Sequence, residues 1–463
     1  MKTTRLSKYP TASFRELLSL SVPLILSFVS SYLILLADRF FLSRYSLSAF
    51  EACAAASGLY FFFQMMTLRF VSTVQAFVGE AVGKGCYRDA SAYTWQMLWF
   101  SFFSPFFLIP IGLTVGKYFF GGTPIEKEAL VYFNYMICGN FLFSVEGTLS
   151  GFFSGIGQTR KVFVVQFISQ ISNLILSPLL IFGAMGIIPS IGIHGAAIGT
   201  LVAKMISCLL LFCSFLFHPN LNGYQTKKGA FCWKKLRDCL KSAFPRAVGQ
   251  GVSILTWNFA ARILIQKGGI DLLSCTFGST VHLALLNDGL GLAFLTVSSY
   301  LIGSKQWNYF PKLLRSTFIF ICLNTIILTL PFFIFREGLI RSLCPNITQL
   351  TELESLRTTS AFIWLSLVCN SLFVISFMLL TALKDLCFYM IFHSLYTPLI
   401  IPITLYMSQQ NIWSPSLFWL ITGLQPLSIA VIYFPRALYR LRRLKQLHVG
   451  QMPPSPHLSI NTE

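Results

Sequence analysis

Twelve long apolar runs, divided by short polar segments, decide most of what this chain can become. They fall at roughly 17–41, 53–81, 92–120, 129–156, 162–187, 193–217, 240–266, 276–303, 313–340, 358–383, 386–408 and 412–435. A helix needs about 20 mostly apolar residues to cross a bilayer, whereas a barrel strand needs about 9–11. In hydrocarbon every backbone N–H and C=O must find its partner within the protein, so only helices and closed barrels span. Runs this long are helical. The expected fold is an all-α polytopic membrane protein with twelve transmembrane helices. Composition agrees, since only 11% of the 463 residues are charged, against roughly 25% in soluble domains. Such a chain cannot clothe a water-facing surface.

The formal net charge of +19 would suit a nucleic-acid binder if it lay on one face. It does not, so no nucleic acid is expected. One set of loops and flanks holds about 23 Lys and Arg, among them Lys84, Arg88, Arg160, Lys161, Lys227, Lys228, Lys384 and Arg440. The opposite set holds about eight: Arg39, Arg44, Lys117, Lys127, Lys267, Arg336, Arg341 and Arg357. The positive-inside rule puts the richer set in the cytoplasm. Both termini are therefore expected there, and an even number of spans, which puts them on one side, agrees. The run beginning near Leu17 is too long for a signal-peptide core and is expected to stay. The twelve Cys form no CxxC pair and mostly sit in apolar runs, where they read as small buried hydrophobes.

The polar stretch 218–241 divides the chain near its midpoint. The expected organisation is a first lobe over 1–217, a cytoplasmic linker over 218–241, a second lobe over 242–436, and a basic, then Pro-rich tail over 437–463. The halves look related. Pro23 and Pro245 open corresponding runs, VQAFVGEAVGKGCY near 74–87 parallels VSSYLIGSKQWNY near 297–309, and SGIGQTRKVF at 154–163 parallels LTALKDLCFY at 380–389. The offset is about 222–226 residues. Six spans per half mean that the two repeats run in the same direction, and transporters built this way bind substrate between their halves.

These stretches carry a resemblance. The opening run through Ala37-Asp38-Arg39-Phe40, Gln75 with the segment Gly79 to Gly85, and above all GFFSGIGQTRKVF at 151–163, Asn173 and IFGAMGIIPSIGIHGAAIGT at 181–200 resemble the multidrug and toxic compound extrusion (MATE) family. The resemblance is good over the first half and weak over the second. It implies two pseudo-symmetric six-helix lobes and export of drugs or other amphipathic, often cationic, small molecules in exchange for protons or sodium. It implies no cofactor and no enzymatic chemistry. A monomer in the bilayer is expected.

An ionisable group inside a span costs roughly 2.5–3.5 kcal/mol on insertion scales and is a functional suspect. Asp38 is the first. The resemblance gives it the coupling role; by sequence alone it could equally be an interfacial carboxylate paired with Arg39. The resemblance adds Asn173, Ala196 and Thr200 around it. Ser177 stands where some members have a second Asp, and Lys204 lies one turn beyond Thr200, where it could pair with Asp38. Both departures favour a proton over sodium. In the second half, Thr256 or Asn258, and Asn370, stand where one branch of the family carries acids. A polar network of Asp288, Arg262, Asn258 and Asn370 is expected there, with Asp288 and Arg262 as an ion pair. Arg69 and Glu146 are expected to pair with each other, and Glu80 to anchor a loop. Met65, Met66 and Trp257 are candidates to face substrate, and Asn346-Ile347-Thr348 fits a glycosylation sequon. The competing reading is a lipid or lipid-linked oligosaccharide flippase of the same superfamily, kept open by Lys204, Arg69 and Arg262. An enzyme is disfavoured, because the chain shows no HExxH, no GxSxG and no phosphate-binding glycine loop.

Overall fold

The computed structural model describes residues 6–183, 189–282, 286–343, 350–410 and 413–449. The Asn346-Ile347-Thr348 sequon, the side chain of His282 and the tail past 449 lie outside the described residues. Among those residues there is no strand. The helices form twelve membrane passages. In the first half these are α1 (Phe14–Tyr45), α2 (Leu47–Val71) with α3 (Val74–Gly83), α4 (Tyr87–Phe103) with α5 (Pro105–Phe120), α6 (Glu126–Cys138) with α7 (Asn140–Gly155), α8 (Thr159–Phe182) and α9 (Ile193–Phe217). In the second they are α10 (Trp233–Lys267), α11 (Gly269–His282) with α12 (Leu286–Gly303), α13 (Phe310–Thr329), α15 (Leu350–Ala382), α16 (Leu386–Tyr396) with α17 (Ile400–Ser408), and α18 (Pro415–Val449). The short α14 (Arg336–Leu343) joins α13 to α15.

Eight passages are long and apolar enough by themselves to cross a membrane, and a ninth counts when α4 and α5, bent by 43°, are taken as one. The other three are interrupted or carry ionisable groups: α6 with α7, α10, and α11 with α12. Three of the breaks have a visible cause. Pro105 removes a backbone donor at the α4–α5 joint, Pro398 does so in the 3-10 turn Thr397–Leu399 between α16 and α17, and Gly139 parts α6 from α7 where Leu201 presses in. Six of the eight apolar stretches are only 28–33% buried. Their uncovered surface is apolar, as at Val431, Leu395 and Ile334, which suits lipid and not water.

The halves repeat in backbone detail. Passage two ends with Gly85 N–H on Val82 O and Cys86 N–H on Ala81 O; passage eight ends with Lys305 on Ile302 and Gln306 on Leu301. Passages four and ten end the same way, through Gly157 and Gln158, and through Lys384 and Asp385. All four are Schellman caps, with a left-handed residue at Gly85, Lys305, Gly157 and Lys384. The first half uses glycine at both places and the second uses lysine.

Three apolar cores hold the molecule. One, with Leu42, Phe133 and Ala196, belongs wholly to the first lobe. Another, with Phe277, Leu356 and Trp419, belongs wholly to the second. The third, with Phe77, Leu149, Phe294 and Phe377, is shared. The shared core lies towards the side that carries the start of α1, the 218–232 linker and the end of α18, here the terminal side. On the far side each lobe packs on itself. The lobes thus form a V closed at the terminal side. Its seam is α3 against α12, where a Cβ on Gly83 would lie 2.2 Å from Tyr300 O and one on Gly303 would lie 2.0 Å from Glu80 O. Glu80 anchors more than its own loop, bridging Lys84 and, across the seam, Lys384.

The linker is strapped down. Trp95, Gln96 and Trp99 of α4 donate to the carbonyls of Thr226, Ala230 and Gly229 at 2.7, 2.9 and 3.2 Å. Helix α10 begins at Trp233, so the end of the polar stretch 218–241 is already helical.

Candidate functional site

In the first lobe α1, α8 and α9 bring together the residues that the resemblance picked out. Gly195 and Gly199 make this possible: a Cβ on either would meet Leu180 C at 2.6 Å or Ser177 Oγ at 2.8 Å, so α9 lies close on α8. Thr200 Oγ1 then donates to Asp38 Oδ2 at 3.0 Å, and Asn173 Nδ2 donates to Thr200 Oγ1 and Ser177 Oγ, both at 3.1 Å. The backbone carbonyl of Ala196 also meets Thr200 Oγ1 at 3.0 Å. Asp38, Asn173 and Ser177 are buried. Asp38 Oδ1 and Asn173 Oδ1 have no hydrogen-bond partner among the described residues. Arg39 turns away to the Ser57 hydroxyl at 3.4 Å, so the interfacial Asp38–Arg39 pair does not form.

Three expected ion pairs are replaced by two others. Lys204 does not reach Asp38. Its Nζ donates to Glu146 Oε2 at 2.8 Å, and Ser207 Oγ occupies Glu146 Oε1 at 2.8 Å. Arg69 does not pair with Glu146, nor Asp288 with Arg262. Arg69 Nη2 meets Asp288 Oδ2 at 3.1 Å, an ion pair that joins the lobes across the cleft. Arg262 is on the exposed face of α10. The physical reason is helix rotation. Arg262 faces outward from the second lobe, while Asp288, near the start of α12, faces the first. Asn258, also exposed, bonds only back to Ile254 O, at 2.8 Å, so the expected second-lobe network does not assemble.

What the second lobe has instead is a cavity of about 310 Å³. Gln250, Ser253, Thr256, Asn287, Asn370 and Gln425 give it polar walls; Trp257, Phe373, Tyr389, His393 and Trp419 give it flat ones. Arg69 and Asp288 stand at its edge towards the first lobe. Trp257, a candidate from sequence, lines it, whereas Met66 packs on Gly251 of α10. His393 is buried, in contact with Ser253 Oγ through Nε2 and with Tyr433 Oη at 3.3 Å through Nδ1. Arg246 is fully buried beside the cavity. Both residues lie within apolar runs, so the rule that flagged Asp38 applies to them. The proximity of Arg246 to a span's start, just after Pro245, concealed it.

Comparison with known proteins agrees with this architecture. The family model MatE matches residues 23–179. A protein of Thermotoga maritima described as a probable multidrug resistance protein NorM is 23% identical over 357 residues, covering 73% of this chain and 74% of the relative. A Pseudomonas putida protein with the same description is 26% identical over 271 residues, covering 57% and 58%. A solved structure described as the outward-facing conformation of a multidrug resistance MATE family transporter of the MOP superfamily superposes with a TM-score of 0.79. It covers 96% of this chain and 99% of its own, at 15% identity, and so shows the shared fold. Family model, relatives and fold point the same way: the chain is a multi-pass membrane protein that is similar to the MATE family in sequence and shares the fold of its solved members.

Proposed function

We propose that this chain is a secondary antiporter that exports amphipathic small molecules, drugs among them, in exchange for protons. The observation that carries the reading is Asp38: a buried carboxyl inside a span, with one oxygen held by Thr200, the other without a partner, and no cation paired to it. Because Lys204 is engaged by Glu146, Asp38 is left free to exchange a small cation. The two unpartnered atoms, Asp38 Oδ1 and Asn173 Oδ1, are both acceptors. A proton on the carboxyl turns one acceptor into a donor. The choice of a proton over sodium rests on Ser177, neutral where some members of the family have a second Asp, which leaves a sodium ion one anionic ligand short. The V closed at the terminal side is one of the two states that rocking lobes require, and the relatives described as multidrug resistance proteins support the export direction. The lysine and arginine distribution supports cytoplasmic termini and the bacterial relatives support an inner membrane, so the V opens outward. No cofactor and no partner chain are needed.

The flippase reading loses support from the ion pairs. Lys204 and Arg69 are each neutralised by an acid and Arg262 faces outward, so they form no row of free cations along the cleft. The test is dye movement in everted vesicles, with an imposed proton gradient and, separately, a sodium gradient. Accumulation on the proton gradient alone is expected. Accumulation on sodium alone overturns the choice of ion, and none on either overturns the antiporter reading.

A further inference from the structure

We infer that the second-lobe cavity is a binding site for aromatic anions, flat ring systems that carry a carboxylate or sulfonate. The inference rests on the transporter reading above and names the substrate class of its central cleft. Shape supplies the first part. The imidazole of His393 stacks nearly parallel to Phe373 and Tyr389, with ring centroids 5.8 and 4.9 Å apart and interplanar angles of 17° and 25°. Trp257 and Trp419 meet on the same cavity, with centroids 5.5 Å apart and planes tilted by 51°. These walls receive a flat ring, and a volume of about 310 Å³ fits a small one, at the low end of ligand pockets.

Charge supplies the second part. Asp288 is the one acid on the cavity wall among the described residues, and Arg69 consumes it. Arg246, one turn of α10 before Gln250, has no acid. Its Nε and Nη1 are buried with no hydrogen-bond partner. Its neighbours are the Met378 sulfur at 4.0 Å and the Phe377 ring at 5.5 Å, both of which line the cavity. Arginine stays protonated in proteins. A buried guanidinium with open N–H groups is expensive until an anion shares its low-dielectric surroundings. Arg246 lies behind Phe377 and Met378 and not on the wall itself; with it counted, two guanidinium groups and one carboxylate leave the surroundings of the cavity one positive charge in excess. Asn370 and Thr256, also on the wall, are neutral and do not offset it.

The full-length protein in nanodiscs, without any gradient, is titrated with fluorescein and with a rhodamine ester, an anion and a cation on the same ring skeleton. Binding is read by fluorescence polarisation at fixed salt. Fluorescein is expected to bind at least about tenfold more tightly. Arg246→Gln should weaken fluorescein about tenfold and leave the ester unchanged, with Arg246→Lys restoring much of the loss. Tighter or equal binding of the ester by the unaltered protein overturns the inference, as does an Arg246→Gln protein that folds and still binds fluorescein normally. If Arg246→Gln does not fold, Asn370→Asp decides: fluorescein should weaken and the ester tighten, and an unmoved fluorescein affinity overturns it. Vesicle transport separates the two readings. An Arg246-dependent fluorescein site without gradient-driven export keeps this inference and removes the antiporter. Export of the cationic ester without fluorescein binding does the reverse.

Discussion

Asp38 and Asp385 are both buried carboxylates, and their neighbours give them opposite work. Asp385, in the turn between α15 and α16, accepts from Arg436 Nε and Arg440 Nε at 2.9 Å and from Arg440 Nη2 at 3.1 Å. Burial alone would raise its pKa, but the hydrogen bonds from Arg440 and then Arg436 outweigh it and hold the carboxyl below the ordinary 3.8. A depressed folded-state value stabilises the fold above the unfolded pKa, and that contribution is lost as pH falls through the folded one. Asp385→Asn should therefore lower the melting temperature at pH 7 by about 2–4 °C, with the gap closing below about pH 4, read by scanning fluorimetry. Asp38 has one hydrogen bond where Asp385 has three. Asp38→Asn should cut gradient-driven efflux at least about tenfold without lowering the melting temperature, and a normal efflux rate would remove Asp38 from the coupling role. The residue type and span position of Asp38 were legible in the sequence. Its freedom from Lys204 was not, because which cation reaches which acid depends on how α7, α8 and α9 are rotated.

At the scale of elements, glycines and caps decide how closely helices approach. Lys305 holds a left-handed conformation at φ 59° in an exposed cap where the first half uses Gly85. That conformation costs a residue with a Cβ roughly 1–2 kcal/mol. Lys305→Gly should raise the melting temperature by a few degrees with transport intact, and a drop would show that the lysine has a contact that outweighs its backbone. The α3–α12 seam tolerates no side chain at Gly83. Ser299, fully buried in that seam, reports on it: in a background without other cysteines, Ser299→Cys should react slowly with maleimide. Adding Gly83→Val should speed the reaction at least about tenfold. Equal rates would mean that the lobes do not separate along this line. The order and span of the helices were readable, since a run of apolar residues is a local property. Breaks at Ser104-Pro105 and Thr397-Pro398 were marked by proline, while the α6–α7 break at Gly139 depends on Leu201, more than sixty positions away.

At the scale of the molecule, two separate far-side cores and one shared terminal-side core describe two lobes joined at the terminal side. The groups that lock that end are few. Gln75 Nε2 donates across the seam to Leu292 O and Thr296 Oγ1, both at 2.8 Å, and Glu80 pairs with Lys384. Replacing Glu80 and Lys384 by cysteine and joining them with a reducible bifunctional thiol reagent should hold the V closed at the terminal side. Transport should stop, binding from the far side should persist, and reduction should restore transport. Full transport by the cross-linked protein would rule out rocking about this seam.

The sequence by itself determined the class of fold, the number and order of the passages and the likeness of the halves, all of which rest on local composition or on spacing along the chain. The residues around Asp38 were picked out by the family resemblance, not by composition or spacing. Only the tertiary structure decided the partners of the ionisable groups inside the membrane. Arg69, Glu146, Lys204, Asp288 and Arg262 can be paired on paper in several ways. Arg69 meets Asp288 from 219 positions away, because α2 and α12 face one another across the cleft. Arg246 ends with no ion-pair partner among the described residues, beside a cavity that no short stretch of sequence encodes. In a low-dielectric interior a partner matters only within a few ångströms, and distances on that scale are set by helix rotation and packing.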